Sequence, residues 1–96
     1  MNKVCHDCHV LIFGAMDRAN KEVSQRLDAG ESHLSLFLEY DNRLAGLLGT
    51  KYEDEEFWFL QAASHICIRG LGLHQVYKEG WTRNHSHRWV KKTLGE

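Results

Sequence analysis

Proline is absent from this 96-residue sequence, where average usage would supply about five. Proline is the strongest helix breaker, so its absence favours long helices. No apolar run approaches the roughly 18 residues a membrane helix needs, and Met1–Val10 is too polar for a secretory leader. A cytoplasmic protein that does not span a membrane is expected. A strong net charge is also missing. At −1 the chain has no global attraction to nucleic acid or an anionic membrane, so any such partner must be met by a local patch. Three cysteines, an odd number without an export signal, imply reduced thiols rather than a disulfide framework.

Signatures of catalysis are missing too. There is no Gly-rich phosphate loop, no G-x-S-x-G, no H-E-x-x-H, and no Glu three residues before a His. No internal repeat or Gly/Ser linker divides the chain, so residues 1–96 read as one domain with room for one core. Its composition, 43% apolar and 26% charged, is that of a folded globule.

Periodicity gives the architecture. Cys8, Ile12, Ala15, Met16, Ala19, Val23 and Leu27 recur at steps of three and four, which at 100° per residue places them on one helical stripe. Asp7 is positioned to cap this first helix and Gly30 to end it. Val10, Leu11 and Phe13 lie off the stripe, leaving the first turn apolar on nearly every side. Either the chain's own tail or a second subunit is expected to cover it.

Ser32 caps a second helix running to Leu48, with Leu34, Phe37, Leu38, Leu44, Ala45 and Leu48 as its expected stripe. Thr50 and Glu53 form a capping-box pattern, and the acids Glu53–Glu56 suit a helix N-terminus, so a third helix is predicted from near Lys51. Phe57–Arg69 is apolar or small around most of its circumference, as expected of a central helix. Gly70 and Gly72 end it. Leu73–Glu79 reads equally as a short helix or an extended connection, and Ser86 is placed to cap a last short helix carrying Trp89, Val90 and Leu94. The predicted fold is all-α, a compact bundle of three antiparallel helices plus a short C-terminal helical arm.

Asp41 is the most informative residue. It falls in the middle of the apolar stripe of the second helix, where an unpaired carboxylate would cost several kcal/mol. A partner is required, and His65, Arg69 and the indole N–H groups of Trp58, Trp81 and Trp89 are the candidates. An ion pair or hydrogen bond that sets helix register is the structural interpretation. The catalytic alternative is an Asp41–His65 pair acting as general base and partner.

Cys5-His6-Asp7-Cys8-His9 matches the C-x-x-C-H pattern of haem attachment, but haem attachment requires export. A redox C-x-x-C needs a preceding strand, for which four residues leave no room. Zinc at Cys5 and Cys8, with His9 among the further donors, would require a second ligand pair. His85-Ser86-His87 has the wrong spacing to supply it. Cys8 and Cys67 fit equally well as small core residues on apolar stripes.

Three functional readings remain from the residues. The leading one is a non-enzymatic protein-interaction module, self-associating as a two-fold homodimer through Leu11, Phe13, Leu36, Tyr40 and Leu47, all off the main stripes, with no cofactor. The second is nucleic-acid binding by the basic, aromatic C-terminal arm, where Arg83, Arg88, Lys91, Lys92 and Trp89 would meet phosphates and bases. The third is a metal-binding protein or enzyme around Asp41, His65 and the cysteines.

Overall fold

The computed structural model describes the backbone of residues 6–92 and the side chains of residues 9–92. Its elements are α1 (His6–Asp28), α2 (His33–Leu47), α3 (Asp54–Leu71), α4 (Leu73–Lys78), β1 (Trp81–Arg83) and β2 (Trp89–Lys91). α3 packs along both α1 and α2, as its apolar circumference requires. Arg43 near the end of α2 meets Glu56 at the start of α3, while His33 at the start of α2 lies against Gly70 near the end of α3, so these two helices are antiparallel. α1 runs with α3, since Arg18 pairs with Glu55 in the first turn of α3 while Arg26, two turns further along α1, lies near enough to Cys67 toward the end of α3 to act on its thiol. The bundle is therefore up, down, up.

Each helix forms for a local reason. Ala15, Ala19 and Val23 make a narrow buried stripe on α1 whose small side chains let α3 approach closely. The backbone of Asp7 is already helical within α1, and its side chain, expected as a cap, lies outside the described ones. At the end of α1 Gly30 takes φ +97° and donates its N–H to the Leu27 carbonyl, which closes the helix. Ser32 caps α2, its hydroxyl accepting the Ser35 N–H at 3.1 Å. The Thr50–Glu53 capping box does not form. The Thr50 hydroxyl donates instead to the Leu47 carbonyl at 2.8 Å, tying off α2, and α3 begins at Asp54 behind a Glu53 that makes no side-chain cap bond.

The buried face of α2 is rotated from the expected one. Leu36, Phe37, Tyr40 and Asp41 are buried, whereas Leu48 is largely exposed. Leu36 and Tyr40 therefore belong to the core of a single chain and not to an outer patch. α2 is covered on three sides, by α1, α3 and the C-terminal segment, and a helix covered that way buries more than one stripe. Tyr40 sits edge-on to Phe59 of α3, with 5.8 Å between ring centroids, and its hydroxyl is bonded to Glu22 of α1. Fully burying a ring of this kind stabilises the fold by roughly 1.5–3 kcal/mol.

Leu73–Lys78 is a short helix, set off from α3 by Gly72 at φ +90°. The expected last helix is instead an antiparallel two-stranded ribbon, with Trp81 opposite Lys91, Thr82 opposite Val90 and Arg83 opposite Trp89. Ser86 caps nothing here, because Asn84 organises the connection: its side-chain oxygen accepts the N–H groups of Ser86 (2.9 Å) and Arg88 (3.1 Å). A segment this short is also a poor isolated helix. Trp89 enters the core between Phe37 and Tyr77, at 5.7 and 5.5 Å between ring centroids.

Candidate functional site

Asp41 is 7% exposed and joins three parts of the fold. Its Oδ1 accepts the Ser64 hydroxyl of α3 at 2.9 Å. Its Oδ2 accepts the Trp89 indole N–H at 2.6 Å and pairs with the Arg83 guanidinium at 2.9 Å. The neighbouring Asn42 grips the backbone of Trp89, accepting its N–H at 2.6 Å and donating to its carbonyl at 3.2 Å. Arg83 also lies over the Trp89 ring, 4.6 Å from its centroid. Two consecutive residues of α2 thus hold β2 by side chain and by backbone. The expected bonding of a buried Asp41 to a side chain of the third helix or the C-terminal arm is realised in both ways at once.

The partner on α3 is Ser64 rather than His65 or Arg69, which are both exposed. Gln61, His65 and Arg69 form a polar stripe that turns outward, while Ser64 lies four residues from Leu60 and three from Cys67 on the buried stripe. A polar residue on an apolar stripe was the signal, the same one that marks Asp41. With both carboxylate oxygens engaged by donors, the arrangement fastens the ribbon to the bundle, and His65, which is not among those donors, lines with Asp41, Ser64 and Arg83 a cavity of about 250 Å³.

A second polar cluster locks α1 to α2. Arg26 donates to both oxygens of Glu31 at 2.7 Å, to those of Glu39 at 2.7 and 2.8 Å, and to the Tyr40 hydroxyl at 3.3 Å. These bonds, Glu39's first, keep Arg26 charged far beyond the ordinary range, and Arg26 in turn holds both carboxyls below theirs. Burial, then the bond to Glu22, pushes the Tyr40 phenol up to about 12.

Of the proposed interaction residues, Leu36 and Tyr40 are inside, Leu11 and Leu47 are half-buried, and Phe13 is 63% exposed. Val10 and Met16, also on α1, are 58% and 44% exposed. They lie three residues to either side of Phe13, on one ridge of the helix. Beside that ridge Ile12, Met16, Trp58, Gln61, Ala62 and His65 line a groove of about 250 Å³ between α1 and α3. Val10, Leu11, Gly14 and Ala15 line a further cavity with Glu55 at the start of α3.

Of the proposed nucleic-acid residues, Trp89 is buried and Arg83 is paired with Asp41. Lys91 donates to the Glu79 carbonyl at the end of α4 and lies over Trp81. Arg88 and Lys92 are exposed. The metal candidates Cys5 and Cys8 lie outside the residues whose side chains are described. His9 is exposed and packs edge-on against Phe13 at 5.9 Å. Among the described residues no group of three or more His, Cys, Asp or Glu is placed to hold a metal ion, and no helix is long and apolar enough to cross a membrane. Cys67 is fully buried in the core, which pushes its thiol up to about 11. Comparison with protein-family models, curated proteins and solved structures finds no match to this chain.

Proposed function

We propose that this protein is a helical interaction module that associates with a second copy of itself through the N-terminal half of α1. The carrying observation is the exposed ridge Val10, Phe13 and Met16 on α1, next to a groove lined mainly by apolar residues. Contiguous exposed apolar side chains beside an apolar groove mark an interaction surface, so the ridge calls for a covering partner. Knob and groove lie on the same face of one chain. That is the requirement of a two-fold contact, in which Phe13 of each copy enters the groove of the other. A cavity of ~150 Å³ holds benzene, so the groove has room for one phenyl ring. The charges bordering the ridge are already paired within the chain, Asp17 with Lys21 at 3.0 Å and Arg18 with Glu55 at 3.3 Å, which lowers the cost of approach.

Sedimentation of the intact protein at tens of micromolar tests this. Twice the 11.2 kDa chain mass is expected, with Phe13→Asp giving a single-chain mass and an unchanged helical spectrum. A clean monomer for the unmodified protein would discard self-association.

A further inference from the structure

Another cavity, of about 350 Å³, opens between α2, α3 and the tip of the ribbon. Its floor is apolar, made by Leu44, Ala45, Leu48 and Phe57, while Gln61, Arg83 and His87 supply polar groups and Asp41 is the one acid in its wall. His87 holds a backbone φ of +64°, an uncommon conformation for a residue other than glycine. We propose that this cavity binds a monocarboxylate carrying a small apolar body, with the carboxylate on the unused donors of Arg83.

The unused donors are visible by comparison with Arg26. A guanidinium presents five N–H groups in a planar fork that matches two carboxylates at once. Arg26 is filled in this way, with Glu31 along one edge and Glu39 along another. Arg83 donates one N–H to the His87 carbonyl at 3.1 Å and faces a single carboxylate, Asp41. Among the described residues no other acceptor takes its remaining donors, and the side chain lines the open cavity.

The free polar groups select the ligand class. Both oxygens of Asp41, the one acid in the lining, are already engaged by Ser64, Trp89 and Arg83, so a cation finds no free carboxylate there. A neutral apolar molecule leaves the guanidinium donors of Arg83 unmatched. A monocarboxylate satisfies both the fork and the floor. Against the ~150 Å³ that accommodates benzene, the volume suits a phenyl or branched aliphatic group plus its carboxylate. A free small acid and the C-terminal carboxylate of a peptide ending in an apolar residue present this same chemistry.

The test is an NMR titration of the intact protein with phenylacetate and with its neutral analogue phenylacetamide. In parallel it uses a blocked Gly-Gly-Phe peptide as the free acid and as the C-terminal amide. Saturable shifts at Leu44, Ala45, Leu48 and Gln61 are expected with both acids. The amides should bind at least about tenfold more weakly, the factor that one charge-assisted hydrogen bond supplies. Ala45→Phe, which fills the cavity, should abolish the shifts while the fold is kept. Arg83→Lys, which keeps the charge opposite Asp41 but removes the fork, should weaken binding and decides the matter should Ala45→Phe fail to fold. A peptide acid about tenfold tighter than phenylacetate identifies a protein C-terminus as the source, and equal affinities identify a small acid. Absence of saturable shifts, amides binding as well as acids, or undiminished binding to either variant would overturn the proposal.

Discussion

Asp41→Ala removes the acceptor for the Ser64 hydroxyl and the Trp89 indole N–H and takes the counter-charge from Arg83. Ser64 and Trp89 are both buried, and a buried donor left unpaired costs about 1–3 kcal/mol. Arg83 is 42% exposed in its side chain and regains water on losing its partner, so its contribution is discounted to a small one. The Ser64 hydroxyl can rotate toward another acceptor, whereas the indole N–H is fixed by the Trp89 ring packed between Phe37 and Tyr77. A loss on the order of 2–4 kcal/mol follows, equivalent to a fall in Tm of roughly 10–30 °C for a domain of this size. Urea denaturation followed by circular dichroism measures it. A double-mutant cycle with Trp89→Phe isolates the indole bond and should return a coupling of at least about 1 kcal/mol. A loss below about 0.5 kcal/mol for Asp41→Ala would refute the account, because it would mean that the node carries no more than a surface contact.

Alkaline pH should destabilise the fold. The folded-state values of Cys67 (from 9.0 to about 11) and Tyr40 (from 10.0 to about 12) are raised, so their stabilisation is complete below pH 9 and is lost as pH rises through 11 and 12. For Cys67 this amounts to about 2–3 kcal/mol, and the urea midpoint of Cys67→Ala should fall less steeply above pH 9 than that of the unmodified protein. Acid acts on the other cluster. Glu39 and Glu31 sit below their ordinary 4.5, so the stability they provide is present above that pH and lost as pH falls below it. Arg26→Met should flatten the acid limb of the midpoint-versus-pH curve, and an unchanged limb would count against the cluster. Tyr40→Asp should unfold the chain by burying a charge beside Phe59, with circular dichroism reading the loss of helix, whereas Phe13→Asp should leave the fold intact.

Local pattern made much of this protein legible before its structure. The Ala15, Ala19 and Val23 stripe, the Ser32 cap and the Gly30 stop depend on neighbours within a few positions, and they appear where the spacing places them. Asp41 stood out as a carboxylate in need of a partner for the same reason, since burial follows from helical phase. Which partner it has was decided by tertiary packing. Ser64 lies 23 positions away and Trp89 48, and nothing in the intervening residues sets those distances. Packing likewise turned Leu36 and Tyr40 inward, because α2 is covered on several sides and periodicity registers only one. It also made the C-terminal segment a ribbon, since a chain too short to form a stable helix takes the conformation its anchors impose, here Asn42 on the backbone of Trp89 and Asp41 on its ring.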